Sequence, residues 1–206
     1  MGQSQSSSPR VRFSGARALL ALASAALLAG CAAILPQTPS AIFDLSAPED
    51  VAGGRTGLQV LVPQPTAVKA LDTDRIAARP TPSEYAYLPN AVWSDQLPKL
   101  LQARLMQTLQ SSGRVRAAAL PGQGLLIDYQ LVVDIRAFEY RDEGAVAELA
   151  VKLMDDTNGR VVRSRTFRHT VPAAATDNAS IVAALDAAMD QAFRDITRWA
   201  FARGES

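Results

Sequence analysis

Two spacings run through the chain. From residue 125 onward apolar side chains alternate with polar ones. Ile127, Tyr129, Leu131, Val133 and Ile135 stand against Asp128, Gln130, Asp134 and Arg136, and Val132 is the one interruption. A period of two sends the two sets to opposite faces of a β-strand. Ala147, Leu149, Val151 and Leu153 alternate again against Glu148 and Lys152. The run Asp155-Asp156-Thr157-Asn158-Gly159 then offers the Asn-Gly pair favoured in hairpin turns, and residues 161–171 lead back with Arg163, Arg165 and Arg168. These spacings predict a three-stranded antiparallel meander.

The second spacing is helical. Leu97, Leu101, Leu105 and Leu109 recur every four residues and Leu100 widens the stripe, which predicts a helix with one buried face. Ser94 or Asp95 is its expected cap, Pro98 falls in its first turn, and Gly113 follows its expected end near Ser112. Ile181, Leu185, Ala188, Ala192, Ile196 and Trp199 predict a second helix over 179–201, with Asp186, Asp190, Arg194 and Arg198 on its wet side. Short strands are expected at 42–45 and 58–62. Residues 66–93, broken by Pro80, Pro82 and Pro89, are the least regular, with extended pieces at 75–78 and 84–88. The fold class that follows is α+β: a two-layer sandwich, mainly antiparallel sheet, with two long amphipathic helices on one face.

The first 30 residues differ in kind. Arg10, Arg12 and Arg17 precede an apolar run at 18–29, and no acid occurs before it. A permanent bilayer span needs about 20 apolar residues, so this shorter run predicts a cleaved export signal. It closes on Leu28, Ala29, Gly30 and Cys31, which resembles the bacterial lipobox, with Cys31 as the thiol that takes the lipid. Pro36 and Pro39 keep the following residues out of a helix, so 31–40 is expected to be an extended tether and 41–203 a single domain. Two or more acyl chains on Cys31 would anchor the chain stably. Position 32 is Ala rather than the Asp that, by resemblance to enteric-type sorting, favours inner-membrane retention; the periplasmic face of the outer membrane is expected instead.

Composition removes most other functions. The formal net charge is +1, with 21 Lys and Arg against 20 Asp and Glu, so no basic field calls for nucleic acid. One Cys and one His leave no internal disulfide and no ordinary zinc ligand set. His169 would have to serve any Ser-His or Cys-His chemistry, and no acid stands near it in its own segment. Asp142-Glu143 and Asp155-Asp156 belong to turns rather than to a metal site. Pro121-Gly122-Gln123-Gly124 is too short for a nucleotide loop. No catalytic residue, metal or cofactor is therefore expected. One stretch stands out: Tyr85, Tyr87 and Trp93 gather large rings just before the first long helix. They suit either core packing against that helix or a partner-binding surface.

Several of these residues also carry a resemblance. Arg75-Ile76, then Tyr85, Tyr87, Trp93, Leu97-Pro98 and the Leu-rich helix, is similar to the ABC-type transport auxiliary lipoprotein family, which includes paraquat-inducible protein C-like members. The later order agrees: Asp128-Tyr129, Leu131, Val133 and Ala137-Phe138-Glu139, an alternating strand, a turn with Asn158-Gly159, Phe167 and a terminal amphipathic helix. The resemblance spans about residues 40–201. It implies a non-catalytic, membrane-tethered component that docks an MCE-domain periplasmic protein of an ABC transporter moving lipids or other hydrophobic compounds, and it makes a homo-oligomer plausible. A structural or envelope-assembly lipoprotein shares the same anchor and class of fold. A periplasmic enzyme would need titratable groups converging around His169, and a lipid carrier would need an apolar cavity.

Overall fold

The computed structural model describes residues 41–202, and Cys31 with its lipobox and tether lies outside them. Pro39–Ser206 form one compact unit. Nearly all of its buried apolar residues, from Leu45 to Phe201, belong to one cluster, so this stretch carries the core it needs to fold by itself.

The described residues make a mixed α+β fold with a large sheet and two helices. In chain order the strands are β1 (Ala41–Phe43), β2 (Gln59–Leu61), β3 (Thr66–Ala67), β4 (Arg75–Thr81) and β5 (Glu84–Trp93). Helix α1 (Leu97–Ser111) comes next. Then follow β6 (Ala117–Ala119), β7 (Tyr129–Arg141), β8 (Gly144–Asp155), β9 (Val161–Val171) and helix α2 (Asn178–Ala200). The meander β7-β8-β9 is antiparallel throughout. It is the part whose alternation is plainest in the sequence.

The other side of β7 is a mosaic the spacing did not announce. There β2 pairs at Val60–Tyr129, β3 at Thr66–Asp134 and β4 at Ala78–Tyr140, all parallel to it. Strand β6 continues beyond β2, and β5 and β1 continue beyond β4. The sheet is thus mixed rather than simply antiparallel: its long ladders are antiparallel and its parallel ones are a few residues each.

Leu131, Val133 and Ile135 of β7 face the core with Leu149, Val151 and Leu153 of β8. Helix α2 lies across β8 and β9, and α1 packs on α2 and β6. The buried stripes of both helices join the same cluster. Helix α1 begins at Leu97 with Gln96 as its N-cap, later than the expected Ser94 or Asp95. Pro98 sits in the first turn, where its missing N–H costs nothing. The second cap is a side-chain cap: Asp177 accepts from the Ser180 backbone N–H at 3.0 Å.

Between β1 and β2 the chain crosses the helix layer. The Ser46 N–H donates to Asp186 Oδ1 of α2 at 2.7 Å, the Ser111 hydroxyl of α1 to the Pro48 carbonyl at 3.2 Å, and Arg194 of α2 to the Glu49 carbonyl at 3.0 Å. Leu45 and Val51 are buried along the way. At its start Asp44 pairs with Arg104 of α1, which holds its carboxyl below the ordinary range.

Candidate functional site

The region that drew attention in the sequence is built by a hairpin and a bulge. Strands β4 and β5 pair with Ala77 opposite Tyr87 and Ala78 opposite Ala86, so Tyr85, Tyr87 and Arg79 fall on one face of the hairpin. In β7 the register slips between Ile135 and Ala137, leaving Arg136 as an extra residue opposite β8. Strict alternation from Ile135 would have aimed Glu139 into the apolar core. The bulge reverses the phase: Phe138 goes to the core side and Glu139 to the face that carries Tyr85 and Arg79.

There Glu139 is covered completely. Its side chain is 0% exposed, and its Oε1 accepts from Arg141 Nη2 at 2.6 Å, Arg141 Nε at 2.9 Å and Arg79 Nη1 at 3.3 Å. A buried carboxylate persists only when paired in this way. Both arginines keep about a quarter of their side chains in solvent, 25% for Arg79 and 23% for Arg141. Arg79 also donates to the Tyr85 hydroxyl at 3.3 Å and to the Pro82 carbonyl at 3.2 Å, and its guanidinium lies 4.9 Å from the Tyr85 ring centre. Burial pushes the Tyr85 hydroxyl up from its ordinary pKa, and the Glu139 charge pushes the same way.

Glu139 therefore ties the tip of the β4-β5 hairpin, through Arg79, to the tip of the β7-β8 hairpin, through Arg141. Between the two tips lies a cavity of about 450 Å³ lined by Arg79, Thr81, Pro82, Arg141 and Glu143, among others. Beside this cluster Tyr87 is fixed by its own contacts. Its hydroxyl donates to the Ala70 carbonyl at 3.1 Å, and the Arg75 guanidinium stacks 3.8 Å from its ring centre.

Of the three aromatic candidates, Tyr85 and Tyr87 are half-buried on this face. Trp93 takes the packing role instead. It is 2% exposed and stacks on Phe138 with ring centres 5.6 Å apart, so its indole offers no surface to a partner. Glu139 stood in the sequence as part of a pattern with no assigned role; the signal that could have found it lies just after Arg136, where Phe138 falls on the polar phase of the alternation and Glu139 on the apolar one. Nor is His169 alone. Its Nε2 lies 3.2 Å from Asp195 Oδ2, an acid that comes from α2 rather than from its own segment. Asp195 also accepts from Arg198 at 2.6 Å. Among the described residues no serine, threonine or cysteine bonds this pair, and no three His, Cys, Asp or Glu gather to hold a metal. None of their helices is long and apolar enough to cross a membrane.

Comparison with known proteins agrees with this order of elements. The profile of a family described as the ABC-type transport auxiliary lipoprotein component matches residues 43–197. The chain belongs to that family. A crystal structure of a protein from Xanthomonas campestris superposes on this auxiliary lipoprotein with a TM-score of 0.74 at 30% identity, covering 79% of this chain and 95% of that one. A crystal structure of an uncharacterized protein gives a TM-score of 0.62 at 20% identity, over 79% of this chain and 99% of the other, and shares the fold. An uncharacterized protein of Bradyrhizobium diazoefficiens is 30% identical over 162 residues, 76% of this chain. The chain spans 44% of the length of that relative. Family membership sets the protein among auxiliary lipoprotein components described for ABC-type transport.

Proposed function

We propose that this auxiliary lipoprotein is cut behind Leu28, Ala29 and Gly30, acylated on Cys31, and held by the 31–40 tether at the periplasmic face of the outer membrane. There the 41–203 domain, its two helices forming one layer on the sheet, docks the MCE-domain protein of an ABC transporter that moves lipids between membranes. It catalyses nothing itself. The observation that carries this reading is the family match over residues 43–197. The docking face we assign is the ridge of Tyr85 and Tyr87, each backed by an arginine at 4.9 and 3.8 Å. Half-exposed tyrosine beside arginine is the composition of binding hot spots. Trp93 supports that ridge from the core.

The test is affinity capture of the native chain from its own envelope, with wild type beside a Tyr85→Ser/Tyr87→Ser variant. The wild type is expected to recover an MCE-domain protein and the variant to lose most of it. Recovery of peptidoglycan or barrel proteins alone would refute the transport reading, and equal recovery by both forms would place docking elsewhere. Mass spectrometry of the same preparation checks for acyl chains on Cys31, and light scattering checks for a homo-oligomer. A Cys31→Ser chain is expected to leave the outer-membrane fraction.

A further inference from the structure

At the opposite end of β7, about 33 Å from the tyrosine ridge at strand rise, two recesses meet at Thr56 and have no part in the reading above. One is a slot of about 230 Å³ walled by Leu58, Tyr129, Leu153, Val162 and Phe201, with Arg163 as its single charged wall residue. Val162 stands at 51% exposure, a large apolar side chain left in water. The other recess, about 440 Å³, is lined by Arg55, Thr56, Gly57 and Arg116. Among the described residues neither the Arg55 nor the Arg116 guanidinium has a hydrogen-bond or ion-pair partner. No acidic side chain lines either recess.

We infer that this chain binds an anionic amphiphile, a phosphate or carboxylate head on a single alkyl chain, with the head between Arg55 and Arg116 and the chain in the slot beneath Val162.

The orientation follows from the charges. The slot abuts the carboxyl end of α2, where unpaired carbonyls would repel an anion. Arg163 already donates to the Trp199 carbonyl at 2.9 Å, and Arg114 to the Phe201 carbonyl at 2.8 Å. That end is therefore neutralised and suits the apolar part of a ligand. The guanidinium groups of Arg55 and Arg116 are uncommitted, and a guanidinium fork matches phosphate or carboxylate oxygens. The size sets the chain length. Taking a methylene as roughly 30 Å³, close to a water molecule's share of the liquid, the slot holds about eight of them. Gly57 keeps the head recess open: a Cβ there would meet only Arg116 Nη2, at an ordinary 3.9 Å. A large side chain at 57 would fill the recess without backbone strain.

The experiment titrates the Pro39–Ser206 domain with octyl phosphate, octanol and inorganic phosphate, followed by calorimetry. Octyl phosphate is expected to bind at least tenfold more tightly than either half-ligand. The Arg55→Ser/Arg116→Ser variant should lose at least tenfold for octyl phosphate and keep the octanol affinity. Gly57→Phe, shown folded by circular dichroism, should lose octyl phosphate as well. The inference fails if octyl phosphate binds no better than octanol, if the double variant binds like wild type, or if no heat develops at millimolar ligand. Both arginines are exposed, so the double variant remains a fair test even if Gly57→Phe does not fold. The outcome is independent of whether the tyrosine ridge docks a partner.

Discussion

Replacing Glu139 by Ala removes the acceptor that three guanidinium N–H groups share. Breaking a fully buried ion pair by deleting one member costs about 3–5 kcal/mol, because the other charge is stranded without water. Here two features lower that figure. Arg79 and Arg141 are each about a quarter exposed and border the cavity between the hairpin tips, so both can rotate into solvent. In addition, Glu139 Oε2 is buried without a hydrogen-bond partner among the described residues, and deletion removes that unfavourable desolvation. The net loss expected is about 2–3 kcal/mol. At about 2–4 °C per kcal/mol for a domain of this size, Tm falls by about 4–12 °C. Urea unfolding of the Pro39–Ser206 domain, followed by circular dichroism, reads the same loss as a lower midpoint at unchanged slope. A double-mutant cycle with Arg141→Met should return a coupling of about 1–3 kcal/mol. Glu139→Ala within about 0.5 kcal/mol of wild type would refute the claim that this carboxylate holds the two hairpin tips together.

Three further perturbations probe other parts of the fold. Trp93→Ala empties a buried, stacked ring site and is expected to cost about 3–5 kcal/mol in denaturant melts; a loss below about 1 kcal/mol would mean the site collapses freely. Gly144 has φ of 122°, and an added Cβ would stand 2.5 Å from the Val171 carbonyl oxygen, so Gly144→Ala should lower stability by about 1–3 kcal/mol by the same assay. The Asp44 carboxyl is held below its ordinary value by Arg104. Its contribution to stability is therefore fully present above the unfolded pKa near 3.9 and disappears as pH falls through the lower folded value. The stability gap between wild type and Asp44→Asn should be constant at neutral pH and close on acidification; a gap unchanged at pH 2 would contradict the pairing.

The helices and the meander were legible because each repeats one period over many residues. The leucine stripe located α1 to within three residues at its start, and the alternation of Leu131 to Ile135 set the core face of β7. Leu125 and Leu126 extended the apparent strand too far: they are exposed, and the ladder begins at Tyr129. Residues 66–93 read as irregular because Pro80, Pro82 and Pro89 interrupt any pattern. They nevertheless form β4 and β5, whose register shifts and the positive φ of Asn90, 53°, absorb the interruptions. Strand β6 is three alanines, which carry no period at all. The parallel pairings to β7 involve one or two residue pairs each, too few to leave a signature. At the candidate site the tyrosines were visible as loop aromatics. Glu139 acquires its place only through the Arg136 bulge, and His169 its acid only through packing of α2, both tertiary events.

The crossing segment between β1 and β2 also has a mechanical meaning. Any pull from the amino-terminal side reaches the domain at Ala41, where β1 lies parallel to β5 and the ladder is sheared rather than unzipped. The load then passes to α2 through Asp186 and Arg194 and to α1 through Arg104 and Ser111. Such a load is thus shared by the two cylinders and by β5, the strand that carries the tyrosine ridge, while the arginine recess stays out of the line of force.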